Sequence, residues 1–264
     1  MKAQPNQAAL MKFSHVFISR PQREAEELAA MLAPLGLQTV VQPAFDFVPL
    51  DVRQDDPETC AALESAESTD LIVFTSPRAV THGLAQLPRE VMLRSRIAAI
   101  GPATASALAA AGVRVGVLSA GGFTSEALLE QLAAESNGAG SARHRAFVLA
   151  APGGRQALVE GLAGQGWQAK MLMVYRAEPA RLHKSELALL EEAVGVLAVW
   201  TSGNAMNALS QRLPPALWFR LCQGEWLVIS ERLQRLARAY GPSQIHLASG
   251  PGNGAIAAAI RSLL

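Results

Sequence analysis

The same succession of an apolar strand, the dipeptide Thr-Ser and a helical segment occurs twice in this chain, 126 residues apart. The first copy reads LIVFTSPRAV at 71–80, and the second reads LAVWTSGNAM at 197–206. A short apolar run that stops at small polar residues before a helical pattern is typical of a buried parallel strand followed by a helix. A chain built around two such copies is therefore constrained to an internally repeated α/β fold.

The repeat extends well beyond the two Thr-Ser pairs. A strand, an amphipathic helix and a return strand, called unit A, occupy 15–45 and again 145–179, with helix stops predicted at Gly36 and Gly166. Each Thr-Ser segment, called unit B, is followed by a strand and a helix (unit C) and by a small-residue turn with a last helix (unit D). The chain therefore reads A-B-C-D twice, which predicts two parallel sheets covered by helices.

Composition restricts the kinds of ligand that this fold is expected to hold. The net charge is +1 and 17% of residues are charged, so no broad basic surface for nucleic acid is expected. Cys60 and Cys222 are isolated and the five histidines are scattered, so we predict neither a metal site nor a disulfide framework. The first ten residues lack an apolar signal region, and the Ala-rich stretch 96–114 is broken by Gly and Pro. We expect a soluble cytoplasmic protein.

The two Thr-Ser pairs are expected at the carboxyl ends of parallel strands, where open α/β sheets bind ligands. A Ser or Thr at that place also caps the next helix, and capping alone explains either pair. The same helix ends offer free N–H groups and a partial positive charge, which suit carboxylates and phosphates. Three further small-residue loops precede helices at 101–104, 121–126 and 249–254, and none has a complete nucleotide-binding pattern. For a single Thr-Ser pair capping is the stronger interpretation, and several such helix ends together favour anion binding more than one does.

The ordered motifs resemble those of the uroporphyrinogen-III synthase family. The matching pieces are ISRP with its following helix and Gly36, FTSPRAV, IAAIGPATASALAAAG, GGFTSEALLEQL, APGGRQALVEGLAGQGWQAKMLMVYRAEP and VWTSGNAM. They cover nearly the whole chain from about Phe13 onward. Their order and spacing carry the resemblance, and the VYRAEP segment at 174–179 and the paired Thr-Ser motifs are the most specific parts.

The resemblance implies two parallel-sheet α/β domains that are related by the internal repeat and joined by a two-stranded β linker. One domain would be discontinuous, with 11–46 and 178–264, because each unit A joins units B, C and D of the other half. The second domain would be 50–170, and the linker strands would be 42–48 and 171–177. The two Thr-Ser pairs would then lie one per domain and face each other across a cleft.

The same resemblance implies that the chain cyclises hydroxymethylbilane to uroporphyrinogen III, with loss of water and inversion of ring D. Substrate and product carry eight carboxylates, and no cofactor or metal is implied. Because the pyrrole nitrogen can expel the hydroxyl group, the enzyme would mainly orient the chain and bind its transition state. We expect a monomer, since the repeat already supplies pseudo-symmetry, without nucleic acid or membrane partners but with transient contact to the upstream bilane-forming enzyme.

The resemblance also assigns site residues. Tyr175 would hydrogen-bond the leaving hydroxyl or protonate it, whereas the bland interpretation is a packed Tyr with its OH in water. Substrate-binding residues would be Arg20, Thr75, Ser76, Thr104, Ser125, Arg155, Thr201, Ser202 and Ser230. For each of these, capping or ordinary surface charge is the competing interpretation. The second unit C departs from the family: 229–233 stands where many members have a GPTT-like loop, so only a cap at Ser230 and an anion contact at Arg232 are suggested there.

Two other classes of protein fit the same pattern. A two-domain clamshell that binds a small polyanion without catalysis has the same strands and helix ends. A sugar or nucleotide transferase also fits, although no clear nucleotide motif is present. Analysis of the isomer formed from hydroxymethylbilane separates these alternatives.

Overall fold

The computed structural model describes residues 12–66, 70–119, 122, 124–136, 144–154 and 156–264. The chain divides into two units: unit 1 comprises Met1–Asp46 with Glu178–Leu264, and unit 2 comprises Phe47–Ala177. Arg155 and most of the loop 120–123 lie outside the described residues.

The described residues form twelve strands and thirteen α-helices, which alternate along most of the chain. The strands are β1 His15–Ile18, β2 Gln38–Val41, β3 Phe45–Pro49, β4 Leu71–Phe74, β5 Arg96–Ala99, β6 Val117–Leu118, β7 Arg145–Ala150, β8 Gln168–Met173, β9 Tyr175–Pro179, β10 Val196–Trp200, β11 Glu225–Val228 and β12 Gln244–Leu247. The helices are α1 Gln22–Leu32, α2 Val52–Asp55, α3 Pro57–Glu64, α4 Pro77–Leu84, α5 Arg89–Arg94, α6 Pro102–Ala110, α7 Ser125–Ser136, α8 Gln156–Gly164, α9 Lys184–Ala188, α10 Gly203–Arg212, α11 Pro215–Gln223, α12 Glu231–Arg238 and α13 Asn253–Arg261.

The sheet of unit 1 draws its strands from both ends of the chain. Its order is β12-β11-β10-β1-β2, and every neighbouring pair is parallel. At its centre β1 of the first unit A lies beside β10 of the second unit B, with Ile18 opposite Val199. The first unit A has therefore joined units B, C and D of the other half.

The sheet of unit 2 has the same plan with the halves exchanged. Its order is β6-β5-β4-β7-β8, again with parallel pairs. Here β7 of the second unit A lies beside β4 of the first unit B, with Leu149 opposite Phe74. The predicted fold class, two parallel-sheet α/β domains built from an internal repeat, is confirmed.

A third, two-stranded sheet pairs β3 with β9. Ala180 N–H donates to Ala44 O (3.1 Å) and Leu50 N–H donates to Val174 O (3.2 Å), which makes the pairing antiparallel. These strands begin later than the linker strands placed at 42–48 and 171–177. Residues 168–173 belong to β8 and remain paired with β7. Gln42 lies outside the strands, and its buried side chain donates to the carbonyls of Pro43 and Arg181.

Helices cover both faces of each sheet in the same arrangement. In unit 1, helices α1 and α13, which come from repeat units A and D, pack on one face of the sheet. Helices α10, α11 and α12, which come from repeat units B and C, pack on the other face. In unit 2, α8 and α7 pack on one face, and α4, α5 and α6 on the other. Strands buried on both faces read as continuous apolar runs, which is why LIVF and VLAVW are wholly apolar.

The predicted helix stops are confirmed at both unit A positions. Gly36 ends the 3₁₀ turn after α1 with φ = 72°, and Gly166 has φ = 87° before β8. This left-handed conformation is readily adopted by glycine and strained for most other residues. Across the described ranges, no helix is long and apolar enough to cross a membrane.

Candidate functional site

The carboxyl edge of the unit 2 sheet has a topological switch point between β4 and β7. From β4 the chain proceeds to β5 and β6 on one side, whereas β7 and β8 lie on the other. Crevices of this kind are the usual ligand sites of open α/β sheets. Thr75, directly after β4, spans this point because its hydroxyl donates to Leu149 O of β7 at 2.8 Å.

Ser76 has two contacts at the same edge. Its extended backbone (φ = −161°, ψ = 162°) places it as the N-cap of α4, and its Oγ accepts a hydrogen bond from Ala79 N–H at 3.1 Å. Its Oγ also lies 3.3 Å from the hydroxyl oxygen of Tyr175. A serine hydroxyl has one donor and two acceptor positions, so capping leaves Ser76 able to hydrogen-bond the phenol.

Tyr175 begins β9 and is buried, with 8% of its surface exposed. Its ring meets Phe47 edge-on at a centroid distance of 5.9 Å and stacks on His82 of α4 at 5.3 Å, with 28° between the ring planes. The Arg78 guanidinium carbon lies 4.0 Å from the centroid of the Phe47 ring, within cation–π range. The packing therefore fixes the phenol ring while its hydroxyl faces the α4 cap.

The charge state of His82 follows from these surroundings. Burial, and secondly the positive charge of Arg78, lower the pKa of His82 below its ordinary value of 6.5. At neutral pH the imidazole beside Tyr175 is therefore uncharged.

Two other predicted residues of unit 2 lie at the starts of helices. Thr104 is in the first turn of α6 and is 3% exposed, and its N–H donates to Gly101 O at 3.0 Å. Ser125 is the first residue of α7 and is 4% exposed. The side chain that caps α7 is Thr124, whose Oγ1 accepts from Ala127 N–H at 3.3 Å. Thr124 was missed from the sequence, although its position one residue before the helix is a recognisable capping signal.

The carboxyl edge of the unit 1 sheet repeats this arrangement. Ser19, after β1, donates its hydroxyl to Val199 O of β10 at 3.1 Å, which spans the equivalent switch point. Arg20 donates from Nη1 to Pro251 O at 2.7 Å, in the loop before α13. The sequence analysis did not predict Ser19 as a site residue. Its position directly after an apolar strand and before Arg20 is the sequence feature that could have identified it.

Two helices of unit 1 have serine N-caps at the positions that the sequence predicted. Ser202 Oγ accepts from Ala205 N–H at 3.4 Å at the start of α10, and Ser230 Oγ accepts from Leu233 N–H at 3.3 Å at the start of α12. Thr201 is half-buried directly after β10, and Arg232 is exposed in the first turn of α12. The divergent loop therefore keeps a capped helix end even without the GPTT-like residues.

The described parts of the chain contain no group of three or more His, Cys, Asp or Glu side chains arranged to hold a metal ion. Unit 2 also has an open pocket of about 610 Å³ beside Ser95, Arg96 and Gly116. These residues border the amino ends of β5 and β6, whereas Thr75, Ser76 and Thr104 follow strand carboxyl ends. We therefore do not assign this pocket to the site.

Comparisons with known proteins agree with the motifs. The model of a family described as Uroporphyrinogen-III synthase HemD matches residues 26–258. The chain is 30% identical over 253 residues to the uroporphyrinogen-III synthase of Escherichia coli (strain K12), covering 93% of this chain and 99% of the relative. It is 31% identical over 262 residues to that of Salmonella typhimurium, with the same two coverages of 93% and 99%.

Two solved structures share the fold at low sequence identity. A mutant uroporphyrinogen III synthase from the extremely thermophilic bacterium Thermus thermophilus has a TM-score of 0.58 at 20% identity and covers 94% of this chain and 98% of its own. The uroporphyrinogen-III synthetase of Helicobacter pylori 26695 has a TM-score of 0.62 at 16% identity, with coverages of 95% and 99%. With the family match over most of the sequence, these findings show that the chain belongs to the uroporphyrinogen-III synthase family.

Proposed function

We propose that this chain, as a cyclising hydro-lyase, converts hydroxymethylbilane to uroporphyrinogen III with loss of water and inversion of ring D. The observation that carries the proposal is the Tyr175 hydroxyl, held 3.3 Å from the Ser76 cap at the carboxyl edge of the unit 2 sheet. The similar proteins do not support the two alternative functions, a clamshell binding protein and a transferase, because both of these relatives are named as synthases.

In the proposed reaction, the pyrrole nitrogen next to the hydroxymethyl group supplies the electron pair that breaks the carbon–oxygen bond. Tyr175 hydrogen-bonds or protonates the departing hydroxyl, which leaves as water. The activated methylene carbon then bonds to the substituted α-carbon of ring D and forms a spiro intermediate. The bond from that α-carbon to its original bridge carbon breaks, ring D turns over, and the released bridge carbon bonds to the unsubstituted α-carbon of ring D. That carbon loses its proton, which restores the phenol when Tyr175 has acted as the acid. The balance is one bilane in, one macrocycle and one water out, so the step as written uses neither metal nor cofactor.

We propose that the carboxylate arms are held by backbone N–H groups and small hydroxyls rather than by one basic patch. Free N–H groups and the positive end of the helix dipole favour carboxylates at each helix start. The side chains proposed to bind the arms are Arg20, Thr75, Ser76, Thr104, Ser125, Arg155, Thr201, Ser202 and Ser230. Distributed contacts of this kind favour one conformation of a flexible substrate, which is what selection of the inverting path requires.

The decisive experiment is isomer analysis. The purified full chain, incubated with freshly made hydroxymethylbilane in metal-chelating buffer, should yield mainly the type III isomer after oxidation and chromatography. The matched control is heat-denatured protein, which should give type I by spontaneous closure. If the native chain binds the bilane but yields only type I at the uncatalysed rate, the synthase proposal is wrong and the clamshell alternative is favoured.

We also propose that the chain acts as a cytoplasmic monomer that receives its substrate by transient contact with the bilane-forming enzyme. The chemistry supports the transient contact, because hydroxymethylbilane closes without inversion when it is left in solution. Each parallel sheet is complete within one unit, so neither sheet requires a second copy of the chain.

We propose that the domains fold as independent bodies, 50–170 and the discontinuous pair 11–46 with 178–264. A fragment of residues 47–177 should unfold in a single cooperative transition, because it contains a complete five-stranded sheet and both of its core clusters. Circular dichroism during urea unfolding measures this. A cut near residue 137, which separates β4 from β7, should instead give two poorly folded halves, and two stable halves would contradict the proposal.

A further inference from the structure

His82 lies on α4, six residues after the capping Ser76, and it has no part in the reaction proposed above. Its ring nevertheless stacks on Tyr175 at a centroid distance of 5.3 Å. One helix thus supplies both the hydroxyl that meets the phenol oxygen and the ring that meets the phenol face.

The backbone around His82 is tied to the strand that carries Tyr175. Gln86 Nε2 donates to His82 O at 3.0 Å and to Val174 O at 3.4 Å, and Gln86 Oε1 accepts from Val52 N–H at 3.0 Å. Val174 directly precedes Tyr175, so the end of α4 is anchored to the start of β9. The stacked pair is therefore built into unit 2 rather than produced by two mobile side chains.

The charges around His82 favour its neutral form. Arg78, one turn earlier on α4, is the cation that acts on it. Three elements pack extensively against α4. Of these, α6 and β4 contain no ionisable side chain, and Arg145, the only one on β7, lies at the opposite end of that strand and pairs with Asp70. The next helix along the chain, α5, carries Arg89, Glu90 and Arg94. Near Tyr175, β3 and β9 carry Asp46, Arg176 and Glu178.

We propose that His82 is a positioning residue for Tyr175, whose uncharged imidazole packs against the phenol and keeps its hydroxyl beside Ser76. This inference rests on the proposed role of Tyr175 in the reaction. Protonation of His82 places a second positive charge beside Arg78 in a partly buried site, which weakens the arrangement. Turnover should therefore decline as the pH falls through the pKa of His82, which lies below the ordinary histidine range.

Fluorine NMR tests the contact without any need for turnover. The chain has only two tyrosines, Tyr175 and Tyr240, so labelling with 3-fluorotyrosine gives two resonances that Tyr240→Phe assigns. The Tyr175 resonance should shift as the pH is lowered, with a midpoint below the ordinary histidine pKa of 6.5, because burial and Arg78 lower the pKa of His82. In His82→Phe this titration should vanish. In His144→Phe, a control at a second histidine of unit 2 that packs on Trp167, it should persist.

Kinetics tests the consequence for catalysis. His82→Ala should lower kcat about three- to tenfold with little change in KM, the size of one lost aromatic contact, and His82→Phe should restore most of it and remove the acidic decline. In a Tyr175→Phe background, His82→Ala should change kcat less than about twofold, because its effect passes through the missing hydroxyl.

Two results would overturn the proposal. One is a Tyr175 resonance that does not titrate, or that titrates equally in His82→Phe. The other is an equal loss of kcat from His82→Ala with and without the Tyr175 hydroxyl. A failure of the unmodified chain to form type III product would count against the proposed function alone, since the fluorine titration is independent of turnover.

Discussion

Replacing Tyr175 by Phe should lower kcat for type III formation by about 10- to 100-fold. The ring contacts with Phe47 and His82 are retained, so only the hydroxyl near Ser76 is lost. A hydroxyl that only positions the leaving group is worth at most about tenfold, whereas a general acid is worth about 10²–10⁴-fold. The pyrrole nitrogen already drives departure of the hydroxyl, so the expected loss lies where these two ranges meet.

The measurement needs both rate and stability. Tyr240→Phe is the matched control, since Tyr240 packs against Trp218 and Trp226 in unit 1 and should keep the wild-type rate. Thermal unfolding of both variants shows whether a loss of activity reflects a loss of fold. A Tyr175→Phe protein that is as stable and as fast as the wild type would remove Tyr175 from the mechanism, leaving the helix ends to orient the substrate.

The fold could be predicted because its signals are local and occur twice. Short apolar strands, glycine stops such as Gly36 and the paired Thr-Ser segments each depend on neighbouring residues, and their repetition along the chain made the plan readable. The exchange of unit A between the two halves came from the family resemblance. Periodicity alone does not distinguish β1 beside β10 from β1 beside β4, because both pairings bury the same apolar residues.

The site was predictable only to the level of residue positions. Ser76, Ser202 and Ser230 cap their helices because capping needs only the residue and the helix that follows it. The contact of Ser76 with Tyr175 joins residues 99 positions apart, and no local pattern encodes it. The role of His82 could not be predicted from the sequence for the same reason. A lone histidine on a helix indicates no partner until the structure places Tyr175 of β9 against it.

Replacing Arg145 by Met should destabilise unit 2 by about 3 kcal/mol, the lower end of the range for breaking a buried ion pair. Arg145 donates to Asp70 Oδ2 from Nε at 3.0 Å and from Nη2 at 2.6 Å, and Nη1 and Nη2 reach the carbonyls of Ala62 and Ser65. The Asp70 side chain is only 5% exposed, so the buried carboxylate loses two charge-assisted hydrogen bonds. The free energy of unfolding obtained from the unit 2 transition in urea unfolding of the whole chain measures the loss.

The test is sharpened by a control and by a second-site change. Lys170→Met breaks the exposed pair with Glu58 and should cost less than about 1 kcal/mol, because water and salt already screen that pair. Adding Asp70→Asn to Arg145→Met should recover part of the stability, because it removes the buried charge. In the wild type the backbone N–H of residue 145 donates to Asp70 Oδ1 at 3.0 Å, and a neutral amide oxygen can still accept this hydrogen bond. If the double variant is less stable than Arg145→Met, the lost contacts to Ala62 and Ser65, rather than the buried carboxylate, dominate the cost.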